Sequence, residues 1–252
     1  MPVPVTGTFD APPSPPPAVA PMKNRVFPLL CSLLTLAALA APAADTPVEK
    51  LTIIAFDTET TGLSPTRGHI VELGAVKFKD GKIIGEKNWL INPGEPIPAA
   101  ATAVHHITDD MVKDKPRFAE IYPEFKAFVG DGVLMAHNAP FDVRFMREEI
   151  KRIPGEPLPE NKVLDSLRLF RHWMPGLESY QLADLARHVG LEEGQFHRAT
   201  DDARFTVQIF NKVLAKKAAE KPTLESLDAA GVRTYCIAQP AAEPAPDGPH
   251  AP

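Results

Sequence analysis

The chain has only two cysteines, Cys31 and Cys236. They supply neither a disulfide framework nor a thiolate quartet for zinc. Positive charge is not in excess either, since the formal net charge is −5. A nucleic-acid partner would therefore have to be met through a local patch or a bound metal rather than by the whole surface. No apolar run is long enough for a stable membrane span, which needs about 20 residues. No internal repeat is visible. Proline is abundant, but it concentrates at the ends, in Pro2–Pro21 and Pro240–Pro252. Those Ala/Pro-rich ends lack apolar periodicity and read as extended or disordered tails.

What is present divides the chain into four parts. Residues 1–21 form a Pro-rich leader. Residues 22–44 begin with Lys23 and Arg25, continue through the apolar run Val26–Leu39, and end on the small residues Ala41-Pro42-Ala43-Ala44. This is the tripartite pattern of a secretory signal. If translation starts at Met22 it predicts export, to the periplasm or beyond; otherwise a cytoplasmic location is expected. A folded domain then covers 48–217, followed by an Ala/Pro-rich extension over 218–252.

Within the domain, Leu51–Asp57 reads as a strand, and His69–Lys79 alternates as a second. Asp80-Gly81 signals a hairpin, so Lys82–Ile91 should return antiparallel. A helical turn begins at Thr108-Asp109-Asp110, and Phe118, Ile121, Phe125 and Phe128 give Phe118–Val129 helical spacing. Val133–His137 suits a buried strand. Asn138 is a plausible N-cap for a helix reaching about Arg152, with Pro140 in its first turn. A short strand at Val163–Leu164 and helices over Asp165–Trp173, Gln181–Val189 and Ala199–Leu214 complete the pattern. Three strands followed by alternating helices and strands describe an α/β fold, a mixed central sheet flanked by helices.

The chemistry concentrates around LTIIAFDTETTGL. Asp57 and Glu59 are two apart on a strand, so both point to one face. Like charges held that close repel unless a cation or a proton intervenes. A strand end with two solvated acids would explain the pair in isolation, but other acids join it. Asp142 falls in the first turn of a helix, where the dipole favours its ionised form. Asp202 shares an apolar stripe with Phe205, Thr206, Ile209 and Val213, whereas Asp201 is turned about 100° toward solvent. An acid on a packed face needs a partner or a metal. His197 precedes that helix on a loop, and an imidazole suits proton abstraction from water near neutral pH.

Taken in order, FDTETTGLSP, HIVELGAVKF, VHHITDDM, HNAPFDVRFM, SYQLADLARHVGL and HRATDDA resemble the motifs of the DEDDh 3′–5′ exonucleases. That group includes the proofreading epsilon subunit of bacterial replicative polymerase and has an RNase H-like fold. The resemblance covers roughly Leu51 to Leu214. It implies that Asp57, Glu59, Asp142 and Asp202 hold two divalent cations, Mg2+ or Mn2+, with His197 as general base. Carboxylate oxygens suit such hard ions, and no thiolate or histidine cluster points to zinc. By the same resemblance Asp57 bridges the metals, and Thr61, Gly62 and Leu63 approach the terminal nucleotide, Leu63 as an apolar wedge. His105 would contact the scissile region, and Asn138 and Phe141 would line the cleft. The sequence departs from family habit at His106, where glycine is usual, and at Ala100, where some members carry an acid.

Two groups of cations, Lys113, Lys115 and Arg117, and Arg144, Arg147, Lys151 and Arg152, could track a phosphate backbone. They read more simply as solvated faces. The expected activity is a metal-dependent 3′–5′ exonuclease acting on single-stranded DNA or RNA 3′ ends, DNA favoured. It would release nucleoside 5′-monophosphates, with a polymerase partner if cytoplasmic. The contrasting reading is a nucleic-acid-binding protein that keeps the fold without catalysis.

Overall fold

The computed structural model describes residues 45–191 and 197–239. The Pro-rich leader, the segment 22–44 that reads as an export signal, with Cys31, and the terminal Ala/Pro tail lie outside the described residues.

The sheet is built around the most apolar strand. Ile53, Ile54, Ala55 and Phe56 open β1 (Ile53–Thr60) and are all fully buried. A strand apolar on both faces belongs in the interior of a sheet covered on both sides. Antiparallel to it runs β2 (Ile70–Lys79), which sets Gly74 opposite Asp57 and Glu72 opposite Glu59. Asp80 and Gly81, with φ of 48° and 74°, turn the chain into β3 (Lys82–Leu90). Two consecutive positive φ values are what a tight hairpin following the strand twist requires. Strand β3 forms one edge and is mostly exposed.

Helices α1 (Ala99–His105), α2 (Asp109–Val112) and α3 (Phe118–Val129) lead to β4 (Val133–Ala136), which lies parallel to β1. Helix α4 (Pro140–Lys151) crosses to β5 (Lys162–Asp165), parallel to β4. Then come α5 (Ser166–Trp173), α6 (Leu182–His188), α7 (Ala199–Lys217), α8 (Leu224–Ala229) and β6 (Thr234–Cys236), antiparallel to β5. The sheet order is β3-β2-β1-β4-β5-β6. Alternation along β1 divides the core. Ile53 and Ala55 pack with Phe170 of α5 and Val207 and Phe210 of α7, whereas Ile54 and Phe56 pack with Phe125 of α3 and Phe145 and Met146 of α4. This is the expected α/β architecture.

Three local expectations need correction. Asn138 does not cap α4: the N-cap is Ala139, and Asn138 sits outside the helix with φ 64°. Its carbonyl instead accepts the Phe141 N–H at 3.0 Å. Strand β1 continues past Asp57 to Thr60, because β2 pairs along its whole length. Nor does Arg147 share the solvated face on which Arg144, Lys151 and Arg152 are exposed. Arg147 is 9% exposed and donates to the carbonyls of Cys236, Ile237 and Gln239, fastening β6 against α4. No helix among the described residues is long and apolar enough to cross a membrane.

Candidate active site

Asp57 and Glu59 lie on the face of β1 that α7 covers, and α7 contributes Asp202 from its first turn. One carboxylate oxygen from each of the three lies within 4.8 Å of the others. Asp202 is 8% exposed, as its place on the apolar stripe predicts, while Asp201 turns outward and pairs with Arg204. Asp142 approaches from the opposite layer, on α4. Its Oδ1 accepts from the Thr58 backbone N–H at 3.0 Å and from the Thr58 hydroxyl at 2.7 Å. Thr58 is the residue between Asp57 and Glu59, so this contact ties α4 to the acidic pair.

The cost of gathering these acids is visible in their proton affinities. Burial, then the charges of Asp142, Asp202, Glu59 and Glu72, drives the Asp57 carboxyl well above its ordinary range. The group is deep in the fold yet keeps an opening to the cleft. Glu59 is pushed up to about 8 by burial and by Asp202, Glu72 and Asp142, with Arg198 pulling the other way. Burial raises Asp202 to about 7 against the hydrogen bond from the His197 N–H, and Asp142 to about 7 against its bonds from Thr58. Oxygen donors that repel one another and hold protons this tightly fit a hard divalent cation, whose charge would replace those protons.

These groups open into a cleft of about 1000 Å3. Its lining includes Thr61, Gly62 and Leu63 together with Pro98, Val104 and His105. Thr61 is fixed by backbone exchange with His69: its N–H donates to the His69 carbonyl and its hydroxyl accepts the His69 N–H, both at 2.9 Å. Leu63 is 84% exposed at the mouth. His105 is buried, and its Nδ1 accepts the Ile107 N–H at 3.0 Å. Its Nε2 is buried without a hydrogen-bond partner. Burial lowers the proton affinity of this ring. The lining also includes His137, Phe141, Arg171 and Tyr180. His197 is exposed and lines the cleft beside Asp202.

Among the candidates named from sequence, Asp57, Glu59, Thr61, Gly62, Leu63, His105, Phe141, His197 and Asp202 all line the cleft. Asp142 and Asn138 do not. Asp142 lies behind it, engaged with Thr58, and Asn138 flanks His137 in the turn before α4.

Several neighbours escaped the sequence reading. Glu72 is fully buried one strand away from Glu59. A lone acid inside the run Ile70–Val76 was a readable signal, because a buried charge demands a partner. Asp165 is also buried; it caps α5 through the Leu167 N–H and holds the Ala139 N–H that precedes α4. Tyr180 and Arg171 carried no periodic signal at all.

A family model described as Exonuclease (RNase_T) matches residues 54–210. The DNA polymerase III subunit epsilon of Treponema pallidum is 40% identical over 190 residues, covering 71% of this chain and 88% of that protein. The PolC-type DNA polymerase III of Bacillus subtilis is 38% identical over 179 residues, but the match spans only 12% of its length. Among solved structures, exonuclease X in complex with 5′ overhanging duplex DNA aligns with a TM-score of 0.56 at 30% identity, covering 69% of this chain and 99% of that one. Escherichia coli exonuclease I in complex with a dA16 oligonucleotide aligns with a TM-score of 0.60 at 19% identity, covering 68% of this chain and 42% of that one, a likeness of fold. With the motifs in order, the acids gathered at the end of β1 and the relatives in agreement, the chain belongs to the exonuclease family, as a DEDDh-type 3′–5′ exonuclease on an RNase H-like fold.

Proposed function

We propose that the chain removes nucleotides one at a time from the 3′ end of single-stranded DNA, releasing nucleoside 5′-monophosphates. The observation that carries this reading is the meeting of Asp57, Glu59 and Asp202 within 4.8 Å at the base of an open cleft. The family is divalent-metal dependent. Two Mg2+ or Mn2+ ions held by Asp57, Glu59, Asp142 and Asp202 would supply Lewis-acid stabilisation of the attacking water and the departing oxygen.

The chain's own residues do the rest. His197 takes a proton from the water as its oxygen attacks the terminal phosphorus in line. The bond from phosphorus to the 3′ oxygen of the penultimate nucleotide breaks, and that oxygen leaves on the shortened strand and gains a proton. Thr58 keeps Asp142 aimed through two hydrogen bonds. Leu63 offers an exposed apolar surface on which an unstacked terminal base can lie, which favours a frayed or single-stranded end. His105 and Phe141 bound the space for that nucleotide.

Relatives named as polymerase III components support DNA over RNA, and they support a polymerase partner if the protein is cytoplasmic. The leader starting at Met22 supports an exported, free-standing nuclease. Cell fractionation with N-terminal sequencing separates these settings.

The catalytic proposal is tested by following mononucleotide release from single-stranded DNA labelled in its 3′-terminal nucleotide, with Mg2+ and with chelator, for the wild type and Asp57→Ala. Release should require the cation and vanish in the variant. Binding of the strand without release would instead establish the non-catalytic reading. Release indifferent to both the cation and Asp57 would refute the site.

A further inference from the structure

Glu72 has no place in the scheme above, yet it is fully buried and makes four hydrogen bonds. Its Oε1 accepts from Arg198 Nη2 at 2.7 Å and from Asn88 Nδ2 at 2.8 Å. Its Oε2 accepts from Arg198 Nε at 3.1 Å and from the Ala199 N–H at 3.0 Å. Arg198 thus grips both carboxylate oxygens, the bidentate geometry that fixes orientation as well as distance. Asn88 also donates to the Thr200 hydroxyl at 2.8 Å. The bonds of Glu72 with Arg198 and Ala199, and of Asn88 with Thr200, join β2 and β3 to the short segment Arg198–Thr200, where α7 begins, while the bond from Asn88 ties Glu72 to β3.

That segment is flanked by the two groups whose placement the reaction needs. His197 precedes it, held at φ 65°, and its N–H donates to Asp202 Oδ2 at 2.9 Å. Asp202 follows three residues after Ala199. The first N–H groups of a helix have no partner inside it. Arg198, the N-cap, offers no side-chain cap of its own. Glu72, reaching across from the sheet, takes the Ala199 N–H in its place. The backbone beneath is equally close, for a β-carbon on Gly74 would stand 2.2 Å from the Thr200 nitrogen.

We infer that Glu72 and Arg198 are positioning residues of the exonuclease site: their clamp sets where His197 and Asp202 stand relative to Asp57 and Glu59. The inference rests on the proposed roles of His197 and Asp202. Neither clamp residue lines the cleft. Removing such a supporting group costs roughly 10–100-fold in activity or metal affinity. Arg198→Lys retains the charge but cannot grip both oxygens, so the exchange is not conservative here. Its side chain is 30% exposed, which lets the substitution be made without opening the core.

The test uses the full chain and three variants, Arg198→Lys, Glu72→Gln and the double substitution. Expected are a kcat on single-stranded DNA lower by roughly 10–100-fold with KM little changed, and weaker Mn2+ binding in an electron paramagnetic resonance titration. The double variant should lose no more than the worse single one, because the two side chains act as one unit. Should Glu72→Gln fail to fold, Arg198→Lys carries the test alone. Wild-type kcat and Mn2+ affinity in Arg198→Lys would overturn the inference. So would a lowered melting temperature with kcat per folded molecule unchanged, the mark of a merely structural pair. A wild type that releases no nucleotide would defeat the nuclease reading instead, and the Mn2+ titration would still decide whether the clamp places Asp202.

Discussion

Gly74 offers the sharpest test of how α7 must sit on the sheet. It lies on β2 directly opposite Asp57, and its φ is ordinary, so flexibility is not why a glycine stands there. Space is. An added β-carbon would fall 2.2 Å from the Thr200 nitrogen, 2.3 Å from the Ala199 carbonyl carbon and 2.5 Å from the Ala199 oxygen. Relaxed contacts between such atoms need about 3.5 Å or more. Gly74→Ala therefore forces β2 and the start of α7 apart by about 1 Å, and no side chain can rotate to absorb it because all three atoms are backbone. Overpacking of this kind costs about 1–3 kcal/mol. In a domain of this size each kcal/mol lowers the melting temperature by about 2–4 °C, so a fall between about 2 and 12 °C is expected. Activity should suffer more than stability, since a 1 Å displacement of Asp202 can cost roughly 100-fold in rate. Melting curves and mononucleotide release on the purified variant measure both. Gly85→Ala is the control, because its new carbon would meet only the Phe128 ring, at 3.2 Å, and that ring can yield. Gly74→Ala with the melting temperature and rate of the wild type would refute the argument that this helix is docked through bare backbone.

Two further outcomes follow from proton affinity and from backbone strain. Glu59 is raised to about 8, and Asp142 and Asp202 to about 7, so the metal-free fold binds protons that the unfolded chain releases near pH 4. Stability from these groups is thus complete at low pH and lost as pH rises through about 7 to 8. A divalent cation replaces those protons, so the rise in melting temperature caused by Mg2+ should be larger near pH 8.5 than near pH 5.5; an equal or reversed effect would count against a cation among these acids. His106 holds φ 62° at the end of α1, a conformation that disfavours a residue with a β-carbon. His106→Gly should raise the urea midpoint by up to about 1 kcal/mol of stability; a lowered midpoint would show that the histidine makes contacts outweighing its strain.

Much of this was legible in the sequence where a residue's neighbours along the chain determine its surroundings. The period of two in β1 places Asp57 and Glu59 on one face, and the period of α7 separates buried Asp202 from exposed Asp201. Legibility ends where position depends on contacts distant in sequence. Nothing local tells Glu72 that its partner is Arg198, 126 positions away. The strand Thr234–Cys236 is too short to show alternation, and it is held by Arg147 on α4 rather than by its own pattern. Helix α1, Ala99–His105, is alanine-rich with no amphipathic stripe to announce it. Asn138 departs from its expected role for a related reason. Asn-Ala-Pro-Phe-Asp fits a cap, but Asn138 takes a left-handed turn between β4 and α4.

The left-handed residues have a pattern of their own. Of the five non-glycine residues with positive φ among those described, His106 adjoins His105, Asn138 adjoins His137, and His197 itself lines the cleft. Strain gathers at functional sites because the surrounding fold holds geometries that the local chain would refuse. The same holds for charge: burial, helped by neighbouring acids, holds the carboxyls of Asp57, Glu59, Asp142 and Asp202 above their ordinary proton affinity. A sequence selected for stability alone would relieve both, with glycine at the turns and amides among the acids. Their persistence in one place makes the metal-free protein the unsatisfied state, and it locates the stabilising contribution of a bound cation where strain and repulsion meet. A variant such as Asp202→Asn should then melt at a higher temperature than the wild type without cation, and gain less from Mg2+. A variant less stable in both conditions would show that repulsion at this site is smaller than the hydrogen bond Asp202 makes to the His197 N–H.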